Sequence, residues 1–290
     1  MANTILTPDI IAREALMVLR NNAVMANLVH RDYSDEFAAV GDTITVRKPA
    51  TFVANEYNGE KITVQDATES GVAITIDKHL DVSFAVTSKE MSLDIADFSK
   101  QFLVPAMQAF ANQVDKYLIG LEASATNRVS HANGEIAPKD MIEARKYLTQ
   151  NAAPLSDRHF VVGATAEADL LNSELFVSAE KVGDEGTALR EASLGRKFGM
   201  DCYVDQNIEK NGDYVPSIAF HKNAMALVTR PLALPQGAAK AAIVNYDGFG
   251  LRVVYGYDMN TKKDTVSIDM ICGVKLLDQN LISVVADTRA

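Results

Sequence analysis

The chain has 290 residues, 48% of them hydrophobic, and a net charge of −10, so it can build a sizeable core beneath an acidic surface. This charge argues against tight or sequence-specific nucleic-acid binding, which needs Lys and Arg to displace the counterions of the phosphate backbone. The two cysteines, Cys202 and Cys272, form no CxxC pair, which argues against zinc binding and dithiol redox chemistry.

The sequence shows no targeting or membrane segment. Its first residues lack the basic stretch and the apolar run of a signal peptide. No stretch approaches the ~18 apolar residues that are needed to span a bilayer. We therefore expect a protein that is made and used in a cytoplasm without membrane contact.

Residues 8–30 have the pattern of an amphipathic helix. Thr7 can cap this helix, and Pro8 suits its first turn. The apolar positions share one face and are Ile11, Ala15, Val18 and Leu19. Two alternatives remain open: the helix packs on its own domain, or it forms an arm that reaches a neighbouring molecule.

Residues 43–87 alternate between apolar and polar positions, which is typical of half-buried strands. The alternating segments are 43–47, 72–76 and 82–86, and a polar, glycine-bearing stretch separates the first two. We predict a long two-stranded hairpin with an irregular tip, which reaches ~50 Å if 72–87 is one extended element. Because two strands alone are marginal in water, the hairpin must rest either on its own domain or on another copy of the chain.

Helical patterns dominate the middle of the chain. Asp94 can cap a short helix that ends at Gln101, and Pro105 opens a helix over 105–123 that is ~28 Å long. The apolar stripe expected for this longer helix comprises Ala106, Met107, Phe110, Val114, Tyr117, Leu118 and Leu121. Its expected polar outer face comprises Gln108, Asn112, Asp115 and Lys116. Further helices are predicted at 138–148 and after Thr165, which we expect to act as the N-cap.

Short strands are predicted between and after these helices, at 158–162, 201–204, 218–220, 225–228, 241–245, 250–257, 265–272 and 281–285. Helices and strands alternate without a βαβ period, so the predicted fold class is α+β.

No motif in the sequence predicts catalysis, a cofactor or a metal. Residues 195–199 (GRKFG) are glycine-flanked and basic, but they lack the spacing of a phosphate-binding loop, so we expect a tight turn before a strand. No two histidines have the zincin spacing, and neither cysteine has a local nucleophile signature. We therefore expect a protein that is not an enzyme.

Four segments of the chain form a recognisable series: 194–208 (LGRKFGMDCYVDQNI), 219–228 (AFHKNAMALV), 251–257 (LRVVYGY) and 273–275 (GVK). In the same order, they resemble segments of the major capsid (coat) proteins of tailed bacteriophages with the Hong Kong 97-like fold. The order of elements resembles that family over nearly the whole chain.

The resemblance implies a layout of four parts: an N-terminal arm, an extended loop formed by the long hairpin, a peripheral domain in two pieces with a spine helix, and an axial domain. Their expected ranges are 1–40 for the arm, 41–90 for the loop, 91–136 and 236–290 for the peripheral domain with its spine at 105–123, and 137–235 for the axial domain.

The resemblance also implies a function: a coat protein that self-assembles as pentamers and hexamers into the icosahedral capsid of a virion, in the cytoplasm of the host bacterium. The implied partners are further copies of the chain, a portal protein, packaged double-stranded DNA bound without sequence specificity and, optionally, a decoration protein. Because the predicted helix starts close to the N-terminus, we expect a separate scaffolding protein.

Candidate intersubunit contacts lie in the expected loop, the first helix and the basic turn: Tyr57, Asn58, Glu60, Lys61, Arg13, Arg20, Arg196 and Lys197. One alternative is a cellular nanocompartment (encapsulin-like) shell protein of the same fold. Another, from a different class, is a soluble α+β enzyme with a motif-free active site.

Overall fold

A computed structural model of the chain provides the fold. It describes residues 8–31, 43–48, 52, 54–56, 59, 64, 70–87, 103–131, 136–177, 192, 194–210, 214–236, 240–246, 249–259 and 262–287.

The helices are α1 (Pro8–Asn22), α2 (Met25–Leu28), α3 (Val104–Gly120), α4 (Pro138–Gln150), α5 (Ala164–Asn172) and α6 (Glu174–Val177). The strands are β1 (Thr43–Lys48), β2 (Ser70–Thr75), β3 (Lys78–Thr87), β4 (Arg128–His131), β5 (Arg158–Val162), β6 (Arg196–Lys197), β7 (Met200–Val204), β8 (Val215–His221), β9 (Met225–Arg230), β10 (Lys240–Tyr246), β11 (Phe249–Asp258), β12 (Lys263–Leu276) and β13 (Ile282–Asp287).

The first large sheet has the strand order β10-β11-β12-β3, and β9 also pairs with β12. All of these pairs are antiparallel. One face of this sheet packs against α1 and α3 through a continuous apolar core. This arrangement buries the apolar stripe of each helix, as amphipathic helices require.

The first helix packs on its own chain. Ala12, Ala15 and Leu19 of α1 are fully buried against α3 and the first large sheet. Of the two alternatives for this helix, packing on its own domain therefore holds for α1. Residues 1–7 lie outside the described residues.

The second large sheet has six strands in the order β4-β13-β8-β5-β7-β6. The β4–β13 and β5–β7 pairs are parallel, and the others are antiparallel. One face packs against α4 and α5 to form a second core, whereas Val161, Ile218 and Val284 on the other face enter the first core. The two sheets therefore share buried surface.

The predicted hairpin is confirmed at its root but ends sooner than expected. β1 and β2 form a two-stranded antiparallel sheet from Thr43↔Thr75 to Lys48↔Ser70. After Ile76 and Asp77 the chain enters another sheet. There β3 pairs with β12 over ten residue pairs and does not extend the hairpin. Residues 72–87 are thus two strands in two sheets, which corrects the interpretation of one extended element.

Burial explains this change of partner. Ile74 and Ile76 are buried with Ala226, Val228 and Ile271, so the base of the hairpin is anchored on β9 and β12. Burying an isoleucine side chain stabilises a fold by about 1.5–3 kcal/mol, which a bare two-stranded ribbon does not provide.

Two helix boundaries also differ from the predictions. α3 ends at Gly120 and continues as one 3-10 turn, Leu121–Ser124, rather than as α-helix to 123. The N-cap of α5 is Gly163 rather than Thr165. A Cβ at Gly163 would lie 3.1 Å from Ile208 Cγ2, so glycine allows this close packing. The predicted helix from Asp94 to Gln101 lies outside the described residues.

The predicted domain limits remain a prediction, and sheet membership crosses them. β4 and β13 fall in the expected peripheral ranges but belong to the six-stranded sheet. β9 falls in the expected axial range but pairs with β12 of the other sheet. The expected parts are therefore connected by shared strands as well as by chain connections.

Replacing Gly273 by alanine should destabilise the fold. A Cβ at Gly273 of β12 would collide with the carbonyl oxygen of Thr75, where β2 passes over β12. Such overpacking costs about 1–3 kcal/mol, which urea unfolding of the purified chain can measure. Gly256→Ala on the neighbouring strand is the matched control, because a Cβ there meets nothing within 4 Å. Equal unfolding midpoints for the two variants would contradict the close approach.

Candidate assembly surfaces

Residues 49–69 connect β1 to β2. We call residues 43–75 the extended loop. Every residue described between 49 and 69 is exposed, and two of these are large apolar side chains: Phe52 is 64% exposed and Val64 is 81% exposed. Exposed apolar side chains of this size are typical of surfaces that bind other molecules when they occur together.

Contacts with its own strands and with a buried cluster hold the root of the extended loop. The hydroxyls of Thr43 and Thr75 lie 3.0 Å apart and can hydrogen-bond across the strands. Val46 packs against the buried cluster that contains Ile74 and Ile76. The loop therefore leaves the fold from a fixed base.

Four predicted contact residues, Tyr57, Asn58, Glu60 and Lys61, lie outside the described residues. Two others lie on α1. Arg13 is exposed, while the backbone of Arg20 belongs to the helix and its side chain is not described.

Arg196 and Lys197 form β6, the edge strand of the six-stranded sheet. The next two residues, Phe198 and Gly199, have φ angles of 51° and 75°, and this left-handed pair makes the tight hairpin turn to β7. The expected tight turn is confirmed. Arg196 is 61% exposed with Asp201 at 3.7 Å, and Lys197 Nζ lies 6.0 Å from the centre of the Phe176 ring.

A second exposed apolar pair lies at the turn between β11 and β12. Tyr257 and Met259 are both largely exposed there. The sequence predicts a strand that includes Tyr257 but does not single out Met259, because an isolated apolar residue carries no periodicity. Only the structure shows that they share one end of the first large sheet.

Polar chemistry in the described residues is structural in character. No group of three or more His, Cys, Asp or Glu side chains among them can hold a metal ion. Burial raises the pKa of the Cys202 thiol to about 11 and that of Cys272 to about 12. Both thiols are therefore protonated at neutral pH and are poor nucleophiles. Within the same residues, no helix is long and apolar enough to cross a membrane.

A buried carboxylate connects the first helices to α3. Asp115 of α3 is fully buried, and the backbone N–H groups of Val24 and Ala26 donate to its Oδ2 and Oδ1 at 2.8 and 3.0 Å. Asp115 thus caps the first turn of α2, for which Val24 supplies no side-chain cap. The sequence placed this residue on the polar outer face of the helix, and the structure corrects that interpretation.

A second buried carboxylate lies near the first. Oδ1 of Asp205 accepts the backbone N–H of Asn207 at 2.8 Å, while its Oδ2 is buried without a hydrogen-bond partner among the described residues. Burial raises the pKa of Asp115 to about 7, against the effect of the N–H groups that bind it, and the charge of Asp205 contributes to the rise. The nearby Lys116 is paired with Glu209 at the surface.

No protein-family model matches the chain, and no curated protein matches its sequence. Solved structures do match. The chain is similar to the structure titled "Mycobacterium phage Che8", with 20% identity, a TM-score of 0.67, and 91% of this chain and 90% of that chain covered. It is also similar to the capsid of the cyanophage P-SCSP1u, with 12% identity, a TM-score of 0.66, and 92% and 89% covered.

A virus-like particle from Pyrococcus furiosus matches more weakly, with 12% identity and a TM-score of 0.55, although 96% of this chain and 98% of that chain are covered. The identities are low and the coverage is nearly complete, so the likeness concerns the fold. The chain has the mixed helix-and-sheet fold of phage capsid structures.

Replacing Asp115 by asparagine should flatten the pH dependence of stability. Because the folded chain raises the pKa of Asp115 from 3.8 to about 7, it binds this proton more tightly than the unfolded chain. The contribution of Asp115 is therefore largest below about pH 4 and is lost as the pH rises towards about 7, by at most ~1.4 kcal/mol per pH unit. Urea unfolding at about pH 5 and about pH 7.5 measures this loss.

The companion variant is Asp205→Asn, which removes the neighbouring charge and leaves the cap of α2 in place. It should lower the pKa of Asp115, so the pH range over which the chain loses the stability contributed by Asp115 should move to lower pH. If Asp115→Asn and the unmodified chain lost stability in parallel between the two pH values, the assignment of this proton would be wrong.

Proposed function

We propose that this chain is the major capsid protein of a tailed double-stranded DNA bacteriophage, with a Hong Kong 97-like fold. One observation carries the proposal beyond the likeness of fold: the extended loop is anchored at its root but uncovered at its described positions. Phe52 and Val64 are 64% and 81% exposed on their own chain. In a shell, the neighbouring subunit provides that cover.

The energetics favour a shell over a solitary protein. Burying Phe52 and Val64 would contribute about 1.5–3 kcal/mol each. One such contact is too weak to hold two molecules together, because association costs several kcal/mol in lost freedom of motion. A closed symmetric assembly repeats the contact around every subunit, so modest interfaces add up.

The proposal includes the layout of arm, loop, peripheral domain and axial domain that the sequence resemblance implies. Residues 41–90 would contain the loop that lies over a neighbour, with the peripheral domain built around α3 and the C-terminal strands. Residues 137–235 would form the axial domain at the five-fold and six-fold axes. The intersubunit candidates Tyr57, Asn58, Glu60, Lys61, Arg13, Arg20, Arg196 and Lys197 remain predictions of this layout.

The proposed partners follow from the same role: further copies as pentamers and hexamers, a separate scaffolding protein, a portal protein and packaged DNA, with a decoration protein optional. The net charge of −10 suits a container for DNA, because an acidic wall does not hold the polymer tightly. Assembly would take place in the bacterial cytoplasm. In this role the chain performs no catalysis.

A cellular nanocompartment shell is the second candidate, and the match to the Pyrococcus furiosus particle favours it. The two kinds of shell differ in the molecules that they enclose. A phage shell would fill with DNA through a portal, whereas a compartment would contain a cargo protein. Particles purified from the native source that hold a cargo protein and no DNA would support the second candidate.

Replacing Phe52 and Val64 together by serine should prevent closed shells without unfolding the subunit. Both side chains are exposed in the single chain, so its melting temperature should stay within about 2 °C, while the loss of apolar cover should abolish most particles. Sedimentation and negative-stain electron microscopy, with the scaffolding protein co-expressed, measure the outcome.

The control is Asn55→Ser, an exposed polar position of the same loop. It should assemble as the unmodified chain does. Normal shells from the double variant would exclude the extended loop as an assembly element.

A further inference from the structure

Arg145 of α4 carries a positive charge that no carboxylate of the described residues neutralises. Its Nε is buried and has no hydrogen-bond partner. The residue is only partly buried, so the guanidinium can still be reached from outside. A buried donor without an acceptor destabilises the fold, and more so when the group is charged.

A second guanidinium lies close by and also has no carboxylate partner among the residues that the structure describes. Arg158 at the start of β5 is buried and donates only to neutral acceptors: Pro154 O and Ala153 O at 2.7 Å, and Thr149 Oγ1 at 3.0 Å. Burial lowers the pKa of Arg158, and the positive charge of Arg145 lowers it further. Two like charges are therefore kept near each other in a partly desolvated place.

The β6–β7 turn covers Arg145, since a Cβ at Gly199 would lie 3.7 Å from both its Nε and its Nη2. We call Arg145 and Arg158 the arginine corner. Among the described residues neither guanidinium has a carboxylate partner, in a chain whose net charge is −10.

We infer that the arginine corner receives a carboxylate from a neighbouring copy of this chain. The inference rests on the proposed function, and it adds the site and the kind of partner. Every copy brings an excess of carboxylates, with 38 acidic residues against 28 basic ones. In a closed ring, the same acidic group of each neighbour meets the same corner, so one match is repeated at every interface.

Arginine suits this role because its planar fork binds a carboxylate through two parallel N–H···O bonds. The corner is less suited to a DNA backbone. A DNA-binding surface lines up many exposed Lys and Arg side chains, whereas one guanidinium here is fully buried and another is partly covered by a turn. A pair of guanidinium groups with such restricted exposure suits a single carboxylate better than a continuous phosphate backbone.

The inference has a consequence for the free subunit. If the carboxylate partner of Arg145 lies on a neighbouring copy, removing the charge of Arg145 relieves its repulsion with Arg158 in the free subunit. The change also leaves no acceptor unpaired there. Arg145→Met should therefore melt at the same temperature as the unmodified subunit or higher, yet assemble poorly. A residue that only supports the fold would show the opposite pattern.

The experiment compares Arg145→Met with Lys146→Met, the next residue on α4, whose ammonium makes an exposed pair with Glu143. Shell formation is followed by light scattering and sedimentation over a range of subunit concentrations at low and moderate salt. We expect Arg145→Met to need at least about tenfold more protein, equal to ~1.4 kcal/mol per subunit. Lys146→Met should stay within about twofold, and Arg145→Lys should fall between them.

Three outcomes would overturn the inference: assembly of Arg145→Met at the concentration of the unmodified chain, a lower melting temperature or failure to fold, or normal shells that fail only to retain DNA. The last outcome would identify the anion as phosphate. Failure of the proposed function is distinct, because the unmodified chain would then form no shell under any of these conditions.

Discussion

The structure depends on the pairing of β12. This strand of 14 residues pairs with β3 along one edge and with β11 and then β9 along the other. It connects segments that are far apart in the chain, since β3 precedes it by almost two hundred residues. Without β12, the first large sheet would lose its centre, and β3 would have no described partner.

The same strand anchors the extended loop. Gly273 of β12 lets Thr75 pass close above it, and Ile271 of the same strand packs with Ile74 and Ile76. A loop that starts from such a base would lose less conformational freedom on binding a partner. Under the proposed function, the fixed root keeps the single chain folded, and the exposed side chains of Phe52 and Val64 remain available to a neighbouring copy.

Much of the fold was predictable because its elements carry strong local patterns. Proline positions predicted where α3 and α4 begin to within a residue, and apolar periodicity predicted most of the buried face of α3. The 158–162 strand was predicted with its observed bounds. The change of partner between β2 and β3 was not, because alternation predicts strands and says nothing about which strand lies beside them.

The candidate sites were less predictable for the same physical reason. Charge and polarity predicted surface positions such as Arg13 and Arg196, but Asp115 looked like one more polar residue on the outer face of a helix. Its burial depends on the backbone of residues 24–26, about ninety positions earlier in the chain. The arginine corner likewise joins a helix and a strand that no short motif contains.

Some groups of the described residues are left unsatisfied by their own fold. The orphaned oxygen of Asp205 lies close to the cap of α2, the orphaned nitrogen of Arg145 lies beneath a sheet-edge turn, and the exposed apolar side chains Phe52 and Val64 lie on the extended loop. A solitary protein gains nothing from such groups, because each one costs free energy that its own fold does not return. In a subunit that assembles as proposed, the cost in the free chain becomes part of the driving force for assembly, since binding removes it. Under the proposed function, the exposed side chains of Phe52 and Val64 and the arginine corner are two places where a neighbouring copy would make contacts that the single chain leaves open.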